Sequence, residues 1–572
     1  MIYGHVSFAV LPSAATEAVM PIRTTSSVRM RPALSLSAGI ACLAALAAAV
    51  TASPAGATPG GGPARGPVRS GDSVAFVNQI TWAASSPARG VTLLSGTFHD
   101  AKSHPYWTDT IQAPTTSPFT GAAELAEAGS ATWAAQTEAA LTAHEFTPAA
   151  TVLPWPDYTD DPHGVMGIRV RVGNFATQAQ AQTEATALTA AGFSPLVEWT
   201  GYDAQPAPDA ELLHVAIVDP HQFAGQVIAD HGSAIASKQT VPAASAALGS
   251  LAATNGGFFT IDTQLAAVNG VNTGVSAYHG QLESLANGDR AALLLDDHQP
   301  ARIKNLTTTA TLSAGHRSTR ILGINRLPGS AEDCGVAGFT PTSAPRQNTL
   351  CTGTNDLVLF TPQFGAPLPT ATAATAIQAV LDRQDRVVSL GAVGGTLPPG
   401  DSAIQAIGTQ AAWISTNVHV GDRLAIDEQI RTTTGARVPL TPTTSIASAG
   451  PMLLRDGHSA IDAVDEGELD PRDLNDYTFS AYRHARTLVG IDACGRLILV
   501  TADGVAGVSE GLTLTEEAAL MRSLGAIDAM NLDGGGSTEF AVNGQLVNDA
   551  SSSPLRPVGD TIEVVPASAR NR

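Results

Sequence analysis

From Glu211 onward the chain alternates short apolar runs with Gly, Asn and Asp: "LLHVAIVD", "AALLLDD", "DLVLFT", "RLAIDEQI", "RTLVGID", "RLILVTAD" and "TIEVVP". Runs of this length, rich in Val, Ile and Leu and bounded by turn formers, read as buried strands. One helix stands out among them, "LTEEAALMRSLGA" at 514–526. It has Thr515 as N-cap, Glu516 and Glu517 in the first turn, apolar positions at Ala518, Leu520, Met521 and Leu524, and a stop at Gly525. The expectation is a large α+β (mixed α/β) domain with a curved sheet over 211–566, followed by a short tail at 567–572.

Before it, residues 88–203 carry an internal echo, "AQTEAALTAHEFTP" from Ala135 and "AQTEATALTAAGFSP" from Ala181. Each copy is a helix-forming run with β-rich flanks, "GVTLLSGTF" before the first and "GIRVRVGNFAT" and "PLVEWTGYD" around the second. A doubled β-α-β of this size folds into one small antiparallel sheet backed by two helices, a βαββαβ ferredoxin-like unit.

Composition narrows the function. The 572 residues hold 31 Lys+Arg against 51 Asp+Glu, a net charge of −20, and the lysines are Lys102, Lys238 and Lys304 alone. Such a surface repels a nucleic-acid backbone, so no nucleic-acid partner is expected. From Met30 the order is an arginine, an apolar run over about Leu36–Val50, then Ala55-Gly56-Ala57, the order of a secretory signal peptide. The expectation is a signal region at 1–57 with its start near Met30, a Pro/Gly-rich linker at 58–87, no stable membrane span after cleavage, and a secreted or cell-wall-associated protein. Export permits a disulfide, and Cys334 with Cys351 would close a short Gly/Pro/Thr-rich loop. Cys494 reads as a buried or free thiol.

Candidate chemistry gathers around "MNLDGGGSTEF" at 530–540. Asn531, Asp533, Ser537 and Thr538 crowd the end of an apolar strand, and Gly534, Gly535 and Gly536 could present backbone N–H groups as an anion-binding nest. Read alone, the string fits a tight turn as well as a site. "TNGGFF" at 254–259 repeats the theme with Asn255 and Gly256, and "ARTLVGIDACGRLILVTADG" puts Arg486 and Asp503 on adjacent strands. Carboxylates, arginines and asparagines at strand ends suit hydrolysis of an anionic sugar derivative.

The strings "TNGGFF", "AGPMLLRDG", "ARTLVGID", "TADG", "GLTLTEEAALMRSLGAIDAMNLDGGGST" and "VNDASSSPLRPVGDTIEVV", in this order, resemble the phosphodiester glycosidase family. The resemblance implies hydrolysis between a sugar anomeric carbon and a phosphodiester oxygen. The matching polar positions are Asn255, Arg486, Asp503, Glu516, Asn531, Asp533, Ser537, Thr538 and Arg556. Asp533 then serves as first choice for the sugar-side carboxylate and Asp503 as second. Arg486, Arg556 and the Gly534–Gly536 amides would meet the phosphate, and Asn255 and Asn531 would orient hydroxyls or carboxylates. Glu516 fits helix-dipole compensation as well as catalysis. One departure is Leu555-Arg556, where the family commonly has Glu-Arg.

The segment "IRVRVGNFATQAQAQTEATALTAAGFSPLVEW" resembles the SPOR domain family, which implies peptidoglycan glycan strands as a partner. The combined expectation is a secreted hydrolase that removes a sugar such as N-acetylglucosamine from a phosphodiester at the cell wall. The competing reading is a non-catalytic wall-binding protein. No cofactor is expected, and no His/Cys or EF-hand spacing supports a divalent metal, whose presence stays open.

Overall fold

Two apolar runs, "RTLVGID" and "LILVTA", sit at the centre of the molecule, and their alternation shows why. Val489, Ile491, Leu497 and Leu499 point into one core, while Leu488, Ile498, Val500 and Ala502 point into a second on the other face. A strand buried on both faces needs apolar residues at every position, which is what these runs supply.

The computed structural model describes residues 74–567 apart from 101, 103, 371–374 and 475–476. The signal region, the linker up to residue 73, Cys42 and the tail from 568 lie outside the described residues. The central antiparallel sheet has eight strands: Thr81–Ala88, Val91–His99, Ala210–Val218, Leu497–Ala502, Arg486–Asp492, Ala526–Asn531, Met452–Arg455 and His458–Ser459. The first core lies between it and a five-stranded sheet ordered Gln226–Asp230, Thr561–Val565, Ala252–Asn255, Phe540–Val542, Gln545–Leu546. A further eight-stranded sheet and a five-stranded sheet with the helix Thr409–Asn417 enclose a third core between them.

The second core is roofed by the helix Leu514–Ser523, through Leu514, Ala518, Leu520 and Met521. Its N-cap is Thr513 rather than the expected Thr515. Thr513 has extended backbone, its hydroxyl accepts the Glu516 N–H, and the Glu516 carboxylate accepts the Thr513 N–H at 2.9 Å. Gly525 follows the helix at φ 94°, a conformation that favours glycine.

Residues 107–199 form a β-α-β-β-α-β unit. Its strands Trp107–Ile111, Pro148–Pro154, Val165–Phe175 and Pro195–Trp199 pair antiparallel in the order second, third, first, fourth. The echoed segments are its two helices, Ala131–Ala143 and Gln178–Ala190, which cover Ile111, Val170 and Val172.

The boundary expected at residue 88 is corrected. "GVTLLSGTF" is not part of this unit: Val91–His99 pairs with Ala210–Val218 in the large sheet, giving Val91 to one large core and Leu94 and Phe98 to the other. The end of the expected linker is ordered too, as Phe76 and Val77 are buried in the second large core. The small unit is thus inserted between two strands of the large sheet. Its helix-free face is tied down by Arg169, whose guanidinium bonds both Asp203 oxygens at 2.8 Å and the Tyr482 hydroxyl at 2.9 Å.

The Cys334–Cys351 disulfide is formed. Cys494 is not a free thiol either: among the described residues no free cysteine is present; the sequence around one cysteine holds no signal for its pairing.

Candidate active site

The two Asn-Gly strings meet where the central sheet and the five-stranded sheet adjoin. The Asp533 N–H donates to the Gly256 carbonyl at 3.0 Å, and Asn255 Nδ2 donates to the Asp533 carbonyl at 2.6 Å. Asn255 Oδ1 in turn accepts the Thr487 hydroxyl at 2.7 Å, so one buried amide joins two strands to the Asp533 turn. Gly256 and Gly257 are required by close approach, not by φ: a Cβ on Gly256 would lie 2.4 Å from an Asp560 carboxylate oxygen, and one on Gly257 2.3 Å from the Ser448 carbonyl.

This clasp holds Asp533 at the edge of a cavity of about 160 Å³. Aromatic walls come from Phe258, Phe259 and Phe479, and Arg556 stands at the rim. Further lining comes from Glu332 and Asp333, directly before Cys334, and from Gln347 and Asn348 within the loop that the disulfide closes. Asp333, Cys334 and Asn348 all adopt positive φ, between 54° and 62°, a cluster of uncommon backbone in one loop. Asp333 organises it, accepting Arg290 at 2.7 Å, the Thr273 hydroxyl at 2.8 Å and the Asn348 N–H at 2.8 Å.

Electrostatics separate the groups in this cavity. Burial pushes the Asp533 carboxyl up to about 6, against the pull of Ser537, Arg556 and the Gly534 N–H. Glu332 is pushed up to about 8 by burial and by Asp333 beside it. Burial and the Arg486 cation push His484 down to about 3, so at neutral pH it is an uncharged imidazole that donates from Nε2 to the Thr478 carbonyl at 3.0 Å. Arg556 is exposed and forms no ion pair among the described residues. Lys238 places its ammonium 5.9 Å from the Phe259 ring centre, and burial together with Arg556 lowers its pKa. Among the described residues neither cation is held in an ion pair, and the two are close enough to influence each other, which makes a place for an anion.

The structure therefore brings Asp533, Gly534, Gly535 and Arg556 to the cavity, with Asn255 and Gly256 directly behind them. Gly536 packs under Arg556, where a Cβ would fall 2.6 Å from the guanidinium. The expected nest of three amides is corrected: the Gly534 N–H is taken by the Asp533 carboxylate at 2.9 Å and the Gly535 N–H by the Ala485 carbonyl at 2.7 Å. Asn531 is buried and donates to the Gly450 carbonyl at 2.7 Å, and the Thr538 carbonyl accepts Asn548 Nδ2 at 3.2 Å.

Three expected catalytic residues lie elsewhere. Arg486 is fully buried, pairs with Glu517 at 2.9 Å and bonds the Leu512 and Phe479 carbonyls, with its guanidinium 4.6 Å from the Phe479 ring centre. It supports the cavity wall from behind. Glu516 is paired with Arg483 at 2.7 Å as well as capping its helix. Asp503 is buried under the loop that it holds, accepting the Asp549 N–H at 2.8 Å and Asn548 Nδ2 at 3.1 Å. Among the described residues no group of His, Cys, Asp or Glu side chains is arranged to hold a metal ion.

Residues 374–565 match the model of the phosphodiester glycosidase family. Mouse N-acetylglucosamine-1-phosphodiester alpha-N-acetylglucosaminidase is 37% identical over 112 residues, 19% of this chain and 22% of that one. The SPbeta prophage-derived uncharacterized protein YomE of Bacillus subtilis is 38% identical over 82 residues, 14% of this chain and 13% of the other. The chain spans less than a quarter of the length of the curated relatives it matches. A crystal structure of a Burkholderia pseudomallei protein described as exported superimposes with TM-score 0.75 at 29% identity, covering 85% of this chain and 96% of that one. The family match includes Phe479, His484, Asp533 and Arg556, while the loop with Glu332 precedes it.

Proposed function

We propose that this protein is a hydrolase that removes a sugar of the N-acetylglucosamine kind from a phosphodiester by cleavage at the anomeric carbon. The observation that carries the reading is a single cavity that joins a partly buried carboxylate, Asp533, to the Arg556 guanidinium at an aromatic rim, with Lys238 close by. The sugar ring packs on Phe258 and Phe479, the phosphate lies toward Arg556 and Lys238, and Asp533 stabilises positive charge developing at the anomeric carbon or activates water. Neutral His484 adds polarity without charge. The family match over 374–565 supports the reaction class.

The test is incubation of the protein with an alkyl N-acetylglucosamine-1-phosphodiester, with free sugar measured for wild type and Asp533→Asn. Turnover lost in the variant is expected. Binding without turnover in wild type would instead favour a non-catalytic sugar-phosphate binder.

Export to the cell wall belongs to the same proposal, supported by the signal-like order of residues 30–57 and by the Cys334–Cys351 disulfide. Glycan binding by the inserted unit is a separable part. Its helix-free face is partly occupied by the Arg169 bonds to Asp203 and Tyr482, leaving a cleft of about 240 Å³ lined by Thr151, Arg171 and Gln205. Failure of the protein to sediment with amidase-treated peptidoglycan would make the unit a spacer.

A further inference from the structure

Glu332 is a carboxylate of the cavity that no sequence motif singled out and that the family match does not reach. It lies two residues before Cys334, so the disulfide fixes its position. One carboxylate oxygen accepts the Ile261 N–H at 3.1 Å, while the side chain borders the same cavity as Asp533. The charged and titratable groups around it are Asp333, already paired with Arg290, Asp262 on the adjoining turn, and, across the cavity, Asp533, His484 and Arg556. Only Arg556 in this set is a cation facing the cavity, so a second ionised carboxylate beside Asp533 would repel the anionic substrate.

We propose that Glu332 is the catalytic acid of the reaction, protonated when substrate binds, opposite Asp533 as the ionised partner. This rests on the sugar-phosphodiester reading. Burial and Asp333 hold the Glu332 proton on at neutral pH, whereas Asp533 loses its own near 6. Two carboxyls pushed apart in this way divide acid and base roles between them. As the bond between the anomeric carbon and the bridging oxygen breaks, its electron pair stays on the phosphate oxygen, which takes the Glu332 proton. A water oxygen bonds to the anomeric carbon and its proton goes to Asp533. The products are free sugar and a phosphomonoester, with one water consumed, and solvent exchange restores both carboxyls.

Two measurements on the full chain test this. Glu332→Gln should lower kcat/KM for an alkyl sugar-phosphodiester by about 10²- to 10⁴-fold, yet leave a glycosyl fluoride, whose leaving group needs little proton assistance, within about tenfold of wild type by the same reasoning. An equal loss on both substrates, or no loss on the phosphodiester, overturns the acid role. The second measurement does not depend on turnover. Affinity for N-acetylglucosamine 1-phosphate, followed by calorimetry, should fall in wild type as pH rises through about 8, and Glu332→Gln should abolish that fall. Parallel curves would overturn the proposal even if hydrolysis had failed for every phosphodiester; loss of hydrolysis with the binding curves as expected would count against the enzymatic reading instead.

Discussion

Arg486 and Arg556 each lie near a carboxylate, Glu517 and Asp533 respectively, but the first couple is an ion pair and the second is not. The first is sealed between the helix Leu514–Ser523 and the central sheet, at 2.9 Å and with no exposure on either side chain. The second borders a cavity, with an exposed guanidinium and a carboxyl whose pKa is raised to about 6. A charge whose hydrogen bonds end inside the protein maintains shape. A charge left facing a cavity can meet a ligand.

The largest effect that would test this contrast is on catalysis. Asp533→Asn should reduce turnover by at least about 10³-fold, in the upper range of a lost acid-base or nucleophilic group, while leaving the thermal midpoint within a few degrees of wild type. Arg486→Met should do the reverse. It leaves Glu517 buried without its cation, and losing one partner of a buried pair costs about 3–5 kcal/mol, readable as a fall in denaturation midpoint. If Arg486→Met folded normally but lost phosphate affinity, the division drawn here would be wrong.

Next in size is the loop. Replacing Cys334 and Cys351 by serine releases a loop of 17-residue separation, whose closure contributes about 3 kcal/mol on chain-entropy grounds. Activity should fall further than stability explains, because the bridge anchors the segment next to Glu332 and Asp333 and the loop itself carries Gln347 and Asn348. Equal activity in the folded serine variant would show that the cavity does not need this wall.

Arg556→Met and Lys238→Met should each raise KM by about tenfold, with kcat little changed and stability unaltered, as expected for exposed charges that contribute about 1–2 kcal/mol to binding an anion. Substrate affinity that is insensitive to both substitutions and to salt would remove the anion from this rim.

The smallest effect lies in the inserted unit. Asp109 is buried under its helices without a hydrogen-bond partner among the described residues, and burial and Glu184 raise its pKa to about 7. The folded state therefore holds its proton more tightly than the unfolded chain. The stability that this contributes is fully present below the unfolded value of 3.8 and is lost as pH rises through about 7. Asp109→Asn should flatten the decline of the thermal midpoint between these limits, and an unchanged slope would contradict the assignment.

The same contrast explains what could be read from the chain. The continuous apolar runs of 486–502 identify the buried strands, and the echoed "AQTEA" segments identify two real helices, because both signals are local. The pairing of Asn255-Gly256 with Asp533-Gly534 was legible as a repeated theme, since glycines before aromatic or polar residues mark close backbone approach. Arg486, Glu516 and Asp503 lie away from the cavity for a reason no sequence shows: it tells that a charge is present but not whether a distant partner, Glu517, Arg483 or Asn548, already satisfies it. Glu332 lies in an aperiodic loop far from Asp533 along the chain, and its only flag was the neighbouring cysteine at 334. That Val91–His99 joins the large sheet and not the small unit is not legible in the chain, because a strand's alternation tells which face is apolar and not which sheet it joins.

The central claim is that the bond broken lies between the sugar and oxygen, at the cavity beneath Asp533. Hydrolysis of an N-acetylglucosamine-1-phosphodiester in heavy-oxygen water, followed by phosphorus NMR, tests it most directly. The account predicts a phosphomonoester free of the heavy isotope, with the label on the anomeric oxygen of the released sugar. Label on the phosphate would mean that water attacks phosphorus, and would contradict it.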